Sequence, residues 1–262
     1  MRRIGTIACV VWLEMLRKKD VYVLLVLLAV VLMALLSVDV FGLGGIAGYV
    51  KDLGLLFTWL FGWILSVTIS ARELPTEEKQ GTVYSLLAKP VARLELVLGK
   101  WLGAWSIACA ATFCFYALIA GVVGLRGEHF AGGVLLQGYL LHAVALGMVA
   151  AISLALSTRM NADAAMTFAF ALTGAAFVVV PRVPDLLVRV EGMRATALLG
   201  LYAFLPHFEL FDMRQRLVYE NSAAPWGPVC LVLCYGLYMT VVFLLLAWLG
   251  YVRKKFSRGA MS

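Results

Sequence analysis

Long uncharged apolar blocks alternate with short charged segments along this chain. A helix needs about 20 apolar residues to cross roughly 30 Å of hydrocarbon, and six blocks meet that requirement. Residues 21–38 run 18 positions without a charge, and 53–71 run 19. Residues 101–125 and 130–158 run 25 and 29, the second interrupted only by the polar Gln137 and His142. Residues 164–181 supply 18 and end at Pro181; 221–252 supply 32, of which 229–250 forms the membrane part. The pattern predicts an all-α membrane protein, a single transmembrane domain over 1–262. Its six transmembrane helices fall at about 21–39, 53–71, 101–124, 134–157, 164–181 and 229–250. The uncharged block 195–208 is too short to span and contains Pro206, so it is expected as a surface or re-entrant helix within an outer loop, 182–225.

Composition narrows the class. Hydrophobic residues make up 63% of the chain and charged residues 14%, against roughly 45–50% and about 25% in soluble domains. Aqueous enzymes, disordered chains and nucleic-acid modules are excluded by this, despite a net charge of +7. Six spans put both termini on one side, and that side holds fifteen of the 22 lysines and arginines. The positive-inside bias therefore predicts cytoplasmic termini. Membrane lipid, not nucleic acid, is the expected partner of the excess positive charge. No cleavable signal is evident, since the apolar run after Arg17, Lys18 and Lys19 is too long for a signal-peptide core. One of the five cysteines, Cys9, lies in the leader and four lie inside expected helices, so no disulfide framework is indicated.

Residues 1–20 precede the first span. Ile4, Ile7, Val11, Trp12 and Met15 fall at helical spacing between basic ends, which predicts a helix lying in the inner interface. The glycines of 41–48 do not match a dinucleotide fingerprint and suit a flexible outer turn. In the outer loop, His207, Glu209 and Asp212 are better explained by caps and surface pairs than by metal ligation.

The inner connection 72–100, RELPTEEKQGTVYSLLAKPVARLELVLGK, is unlike the others. Helix–helix connections in bundles take about 2–8 residues; this one uses nearly thirty. Gly81 breaks any helix continuing from the second span. Thr82 then suits an N-cap, and Val83, Leu86 and Leu87 share one face of a two-turn helix. Pro90 ends it, because the residue before proline is pushed out of the α region. So short a helix is marginal alone and must pack on something. Physics leaves two partners open: the lipid interface with the protein's own helix ends, or a groove on a separate cytosolic protein.

The same string resembles the signature of ABC-2-type permeases, the membrane subunits of ABC transporters. Their second and third spans are joined by E-x-x-x-G-T-x-x-x-L-L-x-x-P-x-x-R followed by G-K. Here those positions are Glu77, Gly81, Thr82, Leu86, Leu87, Pro90, Arg93, Gly99 and Lys100, with Arg72 and Glu73 upstream. A weaker likeness covers the whole chain, including Leu205, Pro206 and Phe211 ahead of the last span. It is nearest to the permeases of copper-enzyme maturation and gliding-motility systems. The resemblance implies a bacterial or archaeal cytoplasmic (inner) membrane and a coupling helix seated in a cytosolic ABC ATPase subunit. Val83, Leu86 and Leu87 would form its docking ridge. Gly81 and Thr82 would set its start, and Glu77, Glu78 and Arg93 its polar rim. Arg72 and Glu73 would fix the end of the second span. A second permease copy, identical or a sister chain, is also implied.

The chain carries no phosphate-binding loop, no H-E-x-x-H and no G-x-S-x-G. It is therefore expected not to be an enzyme and to hold no cofactor itself, with ATP and Mg bound by the partner ATPase. Ionisable groups inside spans are costly and usually functional; Gln137 and His142 are the candidates for a substrate path. Cys230, Cys234 and Met239 do not amount to a convergent soft-metal site. Gly99-x-x-x-Gly103 and Gly147-x-x-x-Ala151 permit close helix approach. The expected function is the permease subunit of an ABC transporter, an exporter by resemblance. The alternative is a non-transporting six-span scaffold whose 72–100 loop binds a cytosolic partner.

Overall fold

The structure, a computed structural model, describes residues 2–17, 22–23, 26–27, 29–30, 46–80, 92–125, 129–188 and 192–254. The expected first span and coupling helix fall mostly or wholly outside these residues. Among the described residues every regular element is helical. They are α1 (Arg2–Arg17), α2 (Ile46–Gln80), α3 (Arg93–Leu125), α4 (Gly132–Ser157), α5 (Ala162–Val179), α6 (Val183–Leu187), α7 (Met193–Phe204) and α8 (Trp226–Val252). Among the described residues, five stretches are long and apolar enough to cross a membrane: Lys51–Lys79, Arg93–Leu125, Gly132–Ser157, Ala162–Leu187 and Trp226–Val252. The last four match expected spans; the first extends the expected 53–71 in both directions.

That extension revises the connection 72–100. Residues 72–80 continue α2 through Pro75, and 93–100 already belong to α3. The connection between the helix ends is thus confined to 81–92. The end of the bundle where α2 stops and α3 starts is here termed proximal, and the other end distal.

Helix α4 is the centre of the bundle, packed by α2, α3, α5 and α8. Small residues let its neighbours approach. Gly147 leaves room for Trp105, whose indole nitrogen lies 3.1 Å from where a Cβ would stand. Trp105 and Trp101 stack with ring centroids 5.1 Å apart. They donate to the backbone carbonyls of Ala143 and Gly147 at 2.7 and 2.9 Å. Two rings of α3 are thereby pinned to α4 by polar as well as packing contacts, the combination that holds helices together in lipid.

Helix α1 forms where the leader's periodicity places it, but its stripe faces protein. Ile7 and Val11 sit on Gly99 and Gly103 of α3, whose absent side chains would lie 2.7 Å from the Cβ atoms of Ile7 and Val11. Trp12 donates to Ser106 at 2.8 Å, and Val11 and Met15 are buried. The outward side instead carries Val10, Leu13 and Leu16, all more than half exposed. The small-residue pair is the seat of the leader helix, so Ile7 and Val11 of the expected stripe face α3.

Candidate functional site

The motif-bearing helix ends converge at the proximal end, and they do so through charge. Lys100, 1% exposed, lies 2.8 Å from Glu73 and 2.5 Å from Glu77. Glu73 is itself 4% exposed. The next residue, Glu78, pairs with Lys254 beyond α8 at 2.7 Å. Arg93 donates to the carbonyls of Tyr251 and Val252 at 3.2 and 2.5 Å, satisfying acceptors that a helix C-terminus leaves open. Glu95 reaches back to the backbone N–H of Ala92 at 3.0 Å, which braces the start of α3. The last turns of α2, the first turns of α3 and the end of α8 are thereby tied into one frame. From it the residues 81–91 depart.

This geometry places the expected site residues as follows. Glu73, Glu77, Glu78 and Arg93 are engaged within the chain. Arg72 lies on α2 beside them and is exposed. Gly81, Thr82, Val83, Leu86, Leu87 and Pro90 lie outside the described residues. The polar rim assigned to Glu77, Glu78 and Arg93 therefore carries internal pairs. Lys100 was quoted in the motif but given no role, and Lys254 was not singled out. Lys100 had one available signal: a lysine seven residues past the start of α3, where its uncharged stretch begins, with two acids one turn apart on the preceding helix.

The two polar residues of the fourth expected span have different surroundings. Gln137 is a strap: its amide donates to the Ala224 carbonyl and accepts from the Ala224 N–H, both at 2.8 Å. Asn221, in the left-handed region at φ 44°, works beside it. It accepts from the Ala131 N–H at 2.7 Å and donates to the His129 carbonyl at 2.9 Å. Together they fasten the segment before α8 to the distal start of α4. His142, by contrast, is fully buried near the bundle centre and neither ring nitrogen has a hydrogen-bond partner. Its ring stacks on Trp59 at 4.0 Å and meets the edge of Tyr116 at 5.9 Å. Gly62 gives it room, since a Cβ there would lie 3.2 Å from Nε2.

From Trp59 an aromatic column continues to the distal end. Phe177 meets Trp59 edge-on at 5.6 Å and stacks on Phe208 at 4.7 Å. Phe208 and Phe211 belong to a short 3-10 turn and are fully buried. The outer loop thus sends Leu205, Phe208, Phe211 and Leu217 into the same core as the spans, while Met193 and Leu199 of α7 stay exposed. Asp212 accepts a two-pronged contact from Arg214, with the shortest distance 2.6 Å. These hydrogen bonds raise the Arg214 pKa above its ordinary value. His207 meets the Tyr235 hydroxyl at 3.2 Å. Among the described residues, no cluster of His, Cys, Asp or Glu could hold a metal ion.

Five long apolar helices among the described residues, a charge-paired frame at one end and an aromatic-sealed loop at the other define a polytopic membrane protein with its ion pairs at helix ends. Residues 10–256 match the model of the family described as ABC-2 family transporter protein. The chain belongs to that family, and is thus a multi-pass membrane permease of the ABC-2 type. No curated protein matches the chain.

Proposed function

We propose that this chain is the permease subunit of an ABC exporter, driven by a separate ATPase that receives the segment 81–91. The observation that supports it is the proximal frame. Lys100, Glu73, Glu77, Glu78, Arg93 and Lys254 bind α2, α3 and α8 together on both sides of that segment. A push delivered there acts on three helix ends at once. Unpaired helix ends would instead dissipate it within one turn.

In this reading Val83, Leu86 and Leu87 form the docking ridge, with Gly81, Thr82 and Pro90 shaping the helix that carries them and Arg72 beside its root. ATP and Mg belong to the ATPase subunit. A second permease copy completes the pathway, the frame faces the cytoplasm with both termini, and the membrane is the inner one. His142 is the group on the substrate path; the paired amide of Gln137 makes it a strap beside that path.

The test is co-purification with the adjacent-gene ATPase, reading ATP turnover. Leu86→Asp/Leu87→Asp should insert normally and lose both ATPase association and stimulated turnover. Normal stoichiometry in that variant removes the ridge from the dock. Binding by the unaltered chain without any change in turnover favours the scaffold.

A further inference from the structure

The proximal end holds a second feature that the coupling frame does not use. Between the end of α4, α5 and the end of α8 lies a groove of about 360 Å³. Its walls are apolar, made by Leu156, Leu172, Phe243 and Leu246 among others. It opens sideways toward the lipid-facing surface, where Leu246 and Leu249 are 52% and 43% exposed. Two guanidiniums stand at its rim, Arg159 just past the C-cap of α4 and Arg253 at the C-cap of α8. Neither has an ion pair among the described residues, and no carboxylate lines the groove there. Gly250 brings the two rims together: a Cβ at that position would collide with Thr158 and lie 3.7 Å from Nε of Arg159.

We propose that this groove is a binding site for an anionic phospholipid of the adjoining leaflet. An acyl chain would fill the apolar wall and the phosphate would sit between Arg159 and Arg253. Charge complementarity selects this occupant. Two guanidiniums that have no ion pair among the described residues, above an apolar groove, suit a ligand with an apolar tail and an anionic head. A neutral lipid would fill the groove and leave both arginines unused. A free anion would meet the arginines and leave the groove empty. The inference is separate from ATPase docking in its residues, because Arg159, Arg253 and the groove walls take no part in the charge pairs of the frame, although both features share the end of α8.

The experiment uses the full chain in mild detergent. Phosphatidylglycerol and phosphatidylcholine of identical acyl chains are titrated separately, and bound lipid is read by native mass spectrometry. Phosphatidylglycerol should be retained in preference. Arg159→Gln/Arg253→Gln should weaken it about 30-fold, the effect of losing two headgroup contacts, with phosphatidylcholine unchanged. Leu246→Trp, a substitution at a half-exposed wall position, should weaken both lipids by filling the groove while leaving the charge intact. Equal retention of the two lipids by the unaltered chain overturns the proposal. So does a double variant that keeps its preference, and so does inorganic phosphate displacing the lipid at comparable concentration. If the arginines serve only to complement helix C-termini, the double variant lowers thermal stability equally in both lipids and leaves the preference intact, which also overturns it.

Discussion

Replacing Lys100 by methionine tests whether the proximal frame is held by charge. The ammonium is buried and lies 2.8 Å from the Glu73 carboxylate. At an effective dielectric near 20, that separation corresponds to a gross attraction of roughly 6 kcal/mol. Most of it is spent on desolvating the two ions, so the intact pair contributes little net stability. Removing one partner is different, because the other is left buried and uncompensated, at about 3–5 kcal/mol. The cost should be unequal for the two sides. Lys100 has both Glu73 and Glu77 as partners, and the Glu77 side chain is 15% exposed. Among the described residues, Glu73 has Lys100 as its ion-pair partner. Lys100→Met should therefore destabilise by several kcal/mol. Glu73→Gln should cost about 1–2 kcal/mol, since the amide still accepts a hydrogen bond and Glu77 keeps the lysine paired. The double change Glu73→Leu/Lys100→Met should recover part of the loss, since it removes the most buried carboxylate with the lysine but still leaves Glu77 without its ammonium partner.

The assay is unfolding of the purified chain by SDS titration in a fixed detergent, run as a double-mutant cycle. A Lys100→Met variant within about 0.5 kcal/mol of the unaltered chain, or no less stable than Glu73→Gln, would refute the reasoning, because water would then reach the pair. The double variant has a functional use as well. If it is stable yet fails to couple ATP turnover to transport, the charges serve transmission and not folding alone.

Gly103→Leu should force α1 off α3, because even a Cβ meets Val11 at 2.7 Å; overpacking of this kind costs about 1–3 kcal/mol, and faster proteolysis of the leader reads it. Gln137→Leu strips both hydrogen bonds from the Ala224 backbone and should lower stability by about 2 kcal/mol, measured by the same SDS titration, with no change if the strap is dispensable. His142→Phe keeps a ring on Trp59 and removes two nitrogens that lack partners in the resting fold. Normal stability with reduced transport supports the substrate path, and normal transport removes His142 from it.

The sequence and the structure differ most where a charge count ends a span. Apolar counting stops at Arg72, yet α2 runs on to Gln80 with Glu73 almost fully buried. Burial there depends on Lys100, 27 positions away, and no local window contains both residues. The helix passes through Pro75 and stops just before Gly81, the residue expected to break it. The leader shows a complementary case. Its helical period was legible, but which side faced protein was not, because the partner surface is two glycines on a helix nearly a hundred residues later. Within the spans the small residues Gly147 and Ala151 were legible as a place of close helix approach, while the central position of α4 and the tryptophan-to-carbonyl bonds are tertiary facts. The family signature itself was plain in the string, and its charged positions proved to be internal ties.

Those ties bear on why such a motif mixes acids and bases around a short apolar ridge. A ridge on a tethered segment transmits force only if the helices at its two ends cannot slide past one another. Apolar packing resists separation but weakly resists sliding, since dispersion contacts re-form at the next register. A buried ion pair resists both, because a shift of one turn, about 5.4 Å, leaves charges without partners in a low-dielectric site. Glu73 and Glu77 stand one turn apart, and Lys100 reaches both. The lysine thus fixes the register of α2 against α3 over one full turn, while Arg93 and Lys254 fix α8 against the same pair. Under the proposed function, the charges specify alignment and the apolar residues of 81–91 would supply the contact. A variant with arginine at position 100, which keeps the charge but changes the reach, should fold and transmit poorly.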